Sequence, residues 1–203
     1  MTGLSDRAKQ LIPKARIVSF AHWQEAKPDI IARFQAADDT SQYLSDDDLA
    51  MLSAAMPTGY ATLNTALSEH GLSLTDVVKQ LRDQAPAIVD EARAGVLEAF
   101  PNILEPGGGL YPPMRAEACW RDFWQFLRCI TYGIASGQTR YTSTEGLAAM
   151  EELYEELKVP LPAMVTGLKG IKSASLKRLP AEAHSRLEPY FDHFIAQLSA
   201  FFD

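Results

Sequence analysis

No run of apolar residues in this 203-residue chain is long enough to cross a bilayer, which takes roughly 20 in succession. The N-terminal MTGLSDRAKQ also lacks the apolar core of a signal peptide, so a cytoplasmic protein with no membrane span is expected. Basic charge is scarce: 19 Lys and Arg against 26 Asp and Glu leave a net charge of -7. A nucleic-acid binder needs a basic face to neutralise phosphates, so that class of partner is excluded. Cysteine is limited to Cys119 and Cys129. In what reads as one helix their Cα atoms lie roughly 15 Å apart at 1.5 Å rise per residue, too far for a disulfide. The four histidines, His22, His70, His184 and His193, fall in separate segments, and none has metal-ligand spacing with a carboxylate or thiol. Met114 to Ser175 contains no histidine, which disfavours haem held in the usual globin way.

What is present is helical. Apolar residues recur at three- and four-residue spacing, and no segment alternates in the strand pattern. With 47% hydrophobic residues the chain can bury a sizeable core, and an all-α domain is expected. Helices are expected over Asp6–Leu11 and over His22–Gln35. The next starts at Ser45, whose hydroxyl can cap it before three aspartates, and runs toward Glu69 with a break or kink at Pro57. Gly71 ends that helix, and Ser73 or Thr75 starts another toward Phe100, kinked or split at Pro86. Pro101–Pro113, with three successive glycines, reads as a loop. A long helix follows from about Met114 to Ser136, ended by Gly137. Ser143 opens the next, to near Leu157, and two more span about Pro162–Ser175 and Pro180–Phe202, the last bent at Pro189.

Few features could carry chemistry. Gly107-Gly108-Gly109 lacks the spacing and the lysine of a phosphate loop and reads as a connector. Glu151, Glu152, Glu155 and Glu156 alternate with Leu153, Tyr154 and Leu157 as on a solvated helix face. Cys119 stands apart. On an ideal helix Asp122 lies one turn on and about 60° around, and Phe123, Phe126 and Ile130 line the same side. A thiol, a carboxylate and an aromatic floor on one face suit a flat, conjugated ligand better than a core, where an unpaired Asp122 is costly. Arg115, Arg121 and Arg128 could grip carboxylates in bidentate fashion. Arg121 points roughly 160° from Cys119, so either the ligand wraps the helix start or Arg121 pairs elsewhere.

The string Cys119-Trp120-Arg121-Asp122, continuing to Leu127-Arg128 and Thr131-Tyr132, resembles the chromophore helix of phycobiliproteins, whose motif is C-x-R-D followed by L-R and T-Y. Gly146-Leu147 through Leu157, then Gly167-Leu168-Lys169 to Leu176, are similar to that family's next helices. The resemblance covers roughly Tyr43 to Phe202 and is densest from Cys119 to Leu176. It implies a globin-like fold, one domain made of an N-terminal helical extension (1–42) and a core (43–203). It also implies a bound linear tetrapyrrole, a bilin such as phycocyanobilin or a biliverdin-like pigment. By the same resemblance Cys119 would form a thioether to ring A, Asp122 would accept from the central pyrrole N–H groups, and Arg121 would contact a propionate. Arg115, Trp120, Phe123 and Phe126 complete the expected contacts.

The extra N-terminal residues, the glycine loop and Trp120 with Trp124 depart from antenna subunits and resemble a globin associated with bilin biosynthesis. On that likeness the expectation is a homodimeric bilin carrier or store that catalyses nothing, beside a haem oxygenase or a bilin reductase. The alternatives are a light-harvesting antenna subunit, and an interaction or sensor globin without pigment.

Overall fold

The computed structural model describes residues 4–21, 23 and 27–202. Ten helices run in order: α1 (Asp6–Leu11), α2 (Pro28–Asp39), α3 (Asp46–Ala55), α4 (Thr58–Ser68), α5 (Leu74–Asp83), α6 (Ala85–Ala99), α7 (Pro113–Ser136), α8 (Thr144–Leu157), α9 (Leu161–Leu176) and α10 (Ala181–Ser199). Among the described residues there is no strand, only an isolated bridge between Val18 and Thr142. The fold is all-α and globin-like.

Local chemistry sets most helix ends. Ser45 and Asp48 form a reciprocal capping box at α3, while Ser73 and Ser143 accept from backbone N–H groups at the starts of α5 and α8. Gly137 takes a left-handed conformation at the end of α7, where a Cβ would be strained. Pro57 and Pro86 divide what periodicity alone leaves continuous: α3 stops before Pro57, and Pro86 sits in the first turn of α6. The helix expected from His22 differs. It begins at Pro28, which suits a first turn, and reaches Asp39; His22 lies outside the described residues.

The core forms around α7. From Phe126 through Ser136 every residue of this helix is buried, so it is surrounded on all sides. Phe126 meets Phe194 of α10 edge-on at 5.0 Å between ring centroids. Gly167 of α9 lies flat against the Phe123 ring, where a Cβ would collide. On another side Trp23 meets Phe20 and Phe34 edge-on, and Phe20 and Phe34 both pack against Tyr132. Val18, Trp23, Ile30 and Phe34 thus belong to the same apolar cluster as α7, α9 and α10. By contrast α1 sits in a small separate cluster, with Ala8 and Leu11 against Ala149 and Leu153 of α8.

An ion pair is buried with the core. Arg128 donates to Asp38 at 2.7 Å, with both side chains under a tenth exposed. The second oxygen of Asp38 accepts from Arg16 at 2.7 Å, which ties the segment after α1 to α2. Arg128 also donates to Gln125 and lies over the Tyr132 ring at 5.3 Å. Removing one partner of a buried pair strands the other charge. Asp38→Ala should therefore cost about 3–5 kcal/mol of unfolding free energy in a urea titration. Asp39→Ala breaks only the half-exposed Arg16–Asp39 contact and should cost less than about 1 kcal/mol. Equal losses for the two variants would show that Arg128 does not depend on Asp38.

Candidate functional site

The first half of α7 differs from the second. Pro113 opens it, and Met114 and Trp124 are exposed while Ala116, Cys119 and Phe123 face inward. Cys119 and Asp122, one turn apart, fall on the edge between buried and open surface. Cys119 is 5% exposed, and Asp122 is half-buried.

Burial dominates the electrostatics here. It pushes the Cys119 thiol up to about 12, helped by the neighbouring Asp122 charge and opposed by Arg115. It pushes the Asp122 carboxyl up to about 6, opposed by a hydrogen bond from Tyr154 and by the Arg121 charge. Tyr154 Oη of α8 donates to Asp122 Oδ2 at 2.8 Å. Among the described residues no donor reaches Oδ1, and that atom is not sealed from the surface. The site therefore holds a carboxylate short of donors beside a protonated thiol.

The other expected contacts divide. Arg121 is exposed, and its charge favours ionised Asp122, so it stands near the carboxylate although the two leave α7 at different angles. Trp120 is half-buried, edge-on to Phe123 at 5.4 Å and covered by the Arg93 guanidinium of α6 at 5.2 Å. Arg115 is engaged: it donates to Gly109 O at 3.1 Å and Lys158 O at 2.8 Å, clamping the glycine loop to the end of α8. Phe126 corrects the expectation of a continuous aromatic floor. It is 1% exposed and packed on α10, so it builds core rather than an open wall, and Phe123 at 0% is likewise sealed under Trp120 and Gly167. Helical spacing gives the side a ring points to, but not what already fills that side.

Two residues escaped the sequence reading, Tyr154 and Arg93. Tyr154 does lie on the apolar stripe of α8, and a buried tyrosine needs a partner for its hydroxyl, which is a usable signal. Arg93 carries none, because its contact is purely tertiary. Beside the site, a cleft of about 440 Å3 opens between residues 99–103, Gly109, Pro160, Pro162 and Ala163. Arg115 bonds Gly109 at its rim, but none of the expected ligand contacts lines it.

The remaining polar candidates are structural. Glu152 pairs with Arg7 at the surface, and Glu151 accepts from the Phe202 backbone. His184 reaches the carbonyls of Leu176 and Leu179, and His193 bonds Thr142. Both cysteines are free thiols. Among the described residues no cluster could hold a metal, and no helix is long and apolar enough to cross a membrane.

The sequence is similar to those of known proteins. The family model described as Phycobilisome protein matches residues 32–198. The allophycocyanin subunit alpha-B of Nostoc sp. is 32% identical over 163 residues, covering 80% of this chain and 94% of the relative. Its namesake in Synechocystis sp. is 31% identical with the same coverage. The allophycocyanin alpha-B chain of Cyanidium caldarium is 34% identical over 124 residues, 61% of this chain and 76% of the relative. A match across most of the chain, ending in the last helix and including all of α7, identifies the chain as a member of the phycobilisome protein family.

Proposed function

We propose that this chain binds a bilin at the Cys119–Asp122 face of α7 and serves as a non-catalytic, light-harvesting type of subunit. The observation that carries the reading is the donor set. A thiol and an under-supplied carboxylate share one turn of helix at the edge of the core, with Arg121 beside them. These groups suit a bilin: Cys119 holds it by a thioether, Asp122 Oδ1 accepts pyrrole N–H groups, and Arg121 faces a propionate. When bound, the bilin supplies a conjugated chromophore that absorbs visible light. Trp120 and the loop clamped by Arg115 flank it and limit its freedom.

The antenna reading moves ahead of the bilin-metabolism carrier because the reported relatives are named allophycocyanin alpha-B. Nothing in the comparisons supports a haem oxygenase or bilin reductase as partner. The carrier reading keeps one supporting observation, the N-terminal residues before 32 that fall outside the family match. Assembly with like subunits in the cytoplasm fits the antenna role, whereas a lone homodimer with weak emission fits the carrier. Gel filtration with emission spectroscopy on protein from its own host separates the two.

Three measurements bear on the site. After co-expression with a bilin supply, Cys119→Ala should lose all colour that survives acid urea, while Cys129→Ala, fully inside the core, should keep it. Pigment retained by Cys119→Ala through acid urea removes the thioether assignment. Asp122→Asn should move the absorption band to the blue and weaken it, because the charge beside the pyrrole N–H groups is gone. An unchanged band would place the ligand elsewhere.

In the pigment-free protein, a thiol held near 12 is ionised to only roughly one part in ten thousand at pH 8. Both cysteines should then resist iodoacetamide until the chain is unfolded. Rapid labelling of native protein at Cys119 would contradict the burial that defines the site.

A further inference from the structure

We propose that Tyr154 is the positioning residue of the bilin site: from α8 it holds Oδ2 of Asp122, and so leaves Oδ1 alone to receive the ligand's N–H groups. The inference rests on the bilin-binding reading of α7 and extends it to a second helix. A carboxylate on a single side-chain torsion can present either oxygen, and its two-fold χ2 well is broad. A hydrogen bond of 2.8 Å from a buried hydroxyl removes that freedom.

The hydroxyl is itself held. Tyr154 is 4% exposed, and its ring packs edge-on against Phe201 at 6.0 Å between centroids. The backbone beyond it is closed by the turn in which Val159 N donates to Tyr154 O. Burial together with the Asp122 charge keeps the phenol protonated, well above its ordinary range, so it acts as a donor. No other side chain donates to Asp122 among the described residues.

The arrangement also governs charge. The titratable groups facing Asp122 are Tyr154 from α8, with Cys119 and Arg121 on its own helix; Arg115 reaches Cys119. Of these, the Tyr154 bond is the larger force keeping Asp122 ionised, ahead of Arg121. Losing the hydroxyl leaves burial opposed mainly by Arg121, so the carboxyl should protonate at higher pH. A bilin would then face a neutral acid over part of the physiological range.

Tyr154→Phe tests this, because it keeps the ring and its packing and removes only the O–H. In the pigment-free protein, carbon NMR of labelled aspartate should show the Asp122 titration moving up by about one pH unit relative to wild type. In the pigment-loaded protein, the pH midpoint at which the band shifts to the blue should move in the same direction. An unshifted Asp122 titration in the pigment-free variant overturns the proposal. Should that titration shift while bound pigment is insensitive to both Tyr154→Phe and Asp122→Asn, the coupling exists but the pigment does not use this face. That result overturns the placement of the bilin on this face of α7 and with it the role given to Tyr154. Tyr154→Leu, which deletes ring and hydroxyl together, separates packing from positioning. A Phe variant that behaves as wild type while Leu alone perturbs the titration makes Tyr154 a packing residue only.

Discussion

A guanidinium in the middle of a buried helix constrains everything around it. Arg128 lies within the stretch of α7 that is closed on all sides, and an ion there is tolerated only when paired and hydrogen-bonded. Asp38 provides the pair, so α2 must end beside α7. Tyr132 Oη donates to Gln42 O at 2.6 Å, which fixes the chain just after α2 as well. Arg16 on the other Asp38 oxygen brings in the segment that follows α1. The chain around Asp38 and Gln42 is thus a structural requirement of the central helix, because without it the Arg128 charge and the Tyr132 hydroxyl would lose their partners.

That requirement divides α7 into two halves with different work. The second half is scaffold, covered by aromatic rings from α2 and α10. In the first half the covering stops, and the helix offers Cys119 and Asp122 at the edge. The two cysteines show the contrast: both thiols are raised by burial, yet the carboxylate near Cys129 is Asp38, closed by two guanidinium groups, while the one near Cys119 is Asp122 at the rim. The two aspartates show it better. Asp38 has two guanidinium donors and is satisfied, whereas Asp122 has one phenol and keeps an oxygen open. Chemistry belongs where satisfaction is incomplete.

This division explains what could be read from sequence. Helix ends were legible because caps are local: Ser45, Ser73, Ser143 and Gly137 act on neighbours three or four residues away, and α1 spans the six residues expected. The thiol and carboxylate were legible because both lie on one helix, where spacing implies a shared face. Spacing does not reveal that Phe194, 68 positions on, already packs on the Phe126 side. Tyr154 and Arg93 went unseen for the same reason, since their contacts join helices far apart in sequence. Asp38 lies beyond the helix expected to end at Gln35, yet it anchors the longest one.

The residues before 32 lie outside the family match, and their contacts point to the far end of α7 from the site. Ser19 N donates to Tyr141 O and Ser143 N to Ile17 O, and Gly146 is pressed against the Arg16 carbonyl, so this strap closes over the α7–α8 turn. Only α1 reaches further along α8, and it holds by a small apolar cluster and two exposed polar contacts, the Arg7–Glu152 ion pair and the Ser5–Glu156 hydrogen bond. Such contacts are individually worth little. Adjacent residues on α8 then serve different ends: Leu153 faces α1, and Tyr154 faces Asp122. Fraying of α1 would expose Leu153 without disturbing the phenol, which is held from its other side by Phe201. The residues before 32 and those within the family match therefore meet on α8 but on separate faces, so α1 can vary while the site stays as it is.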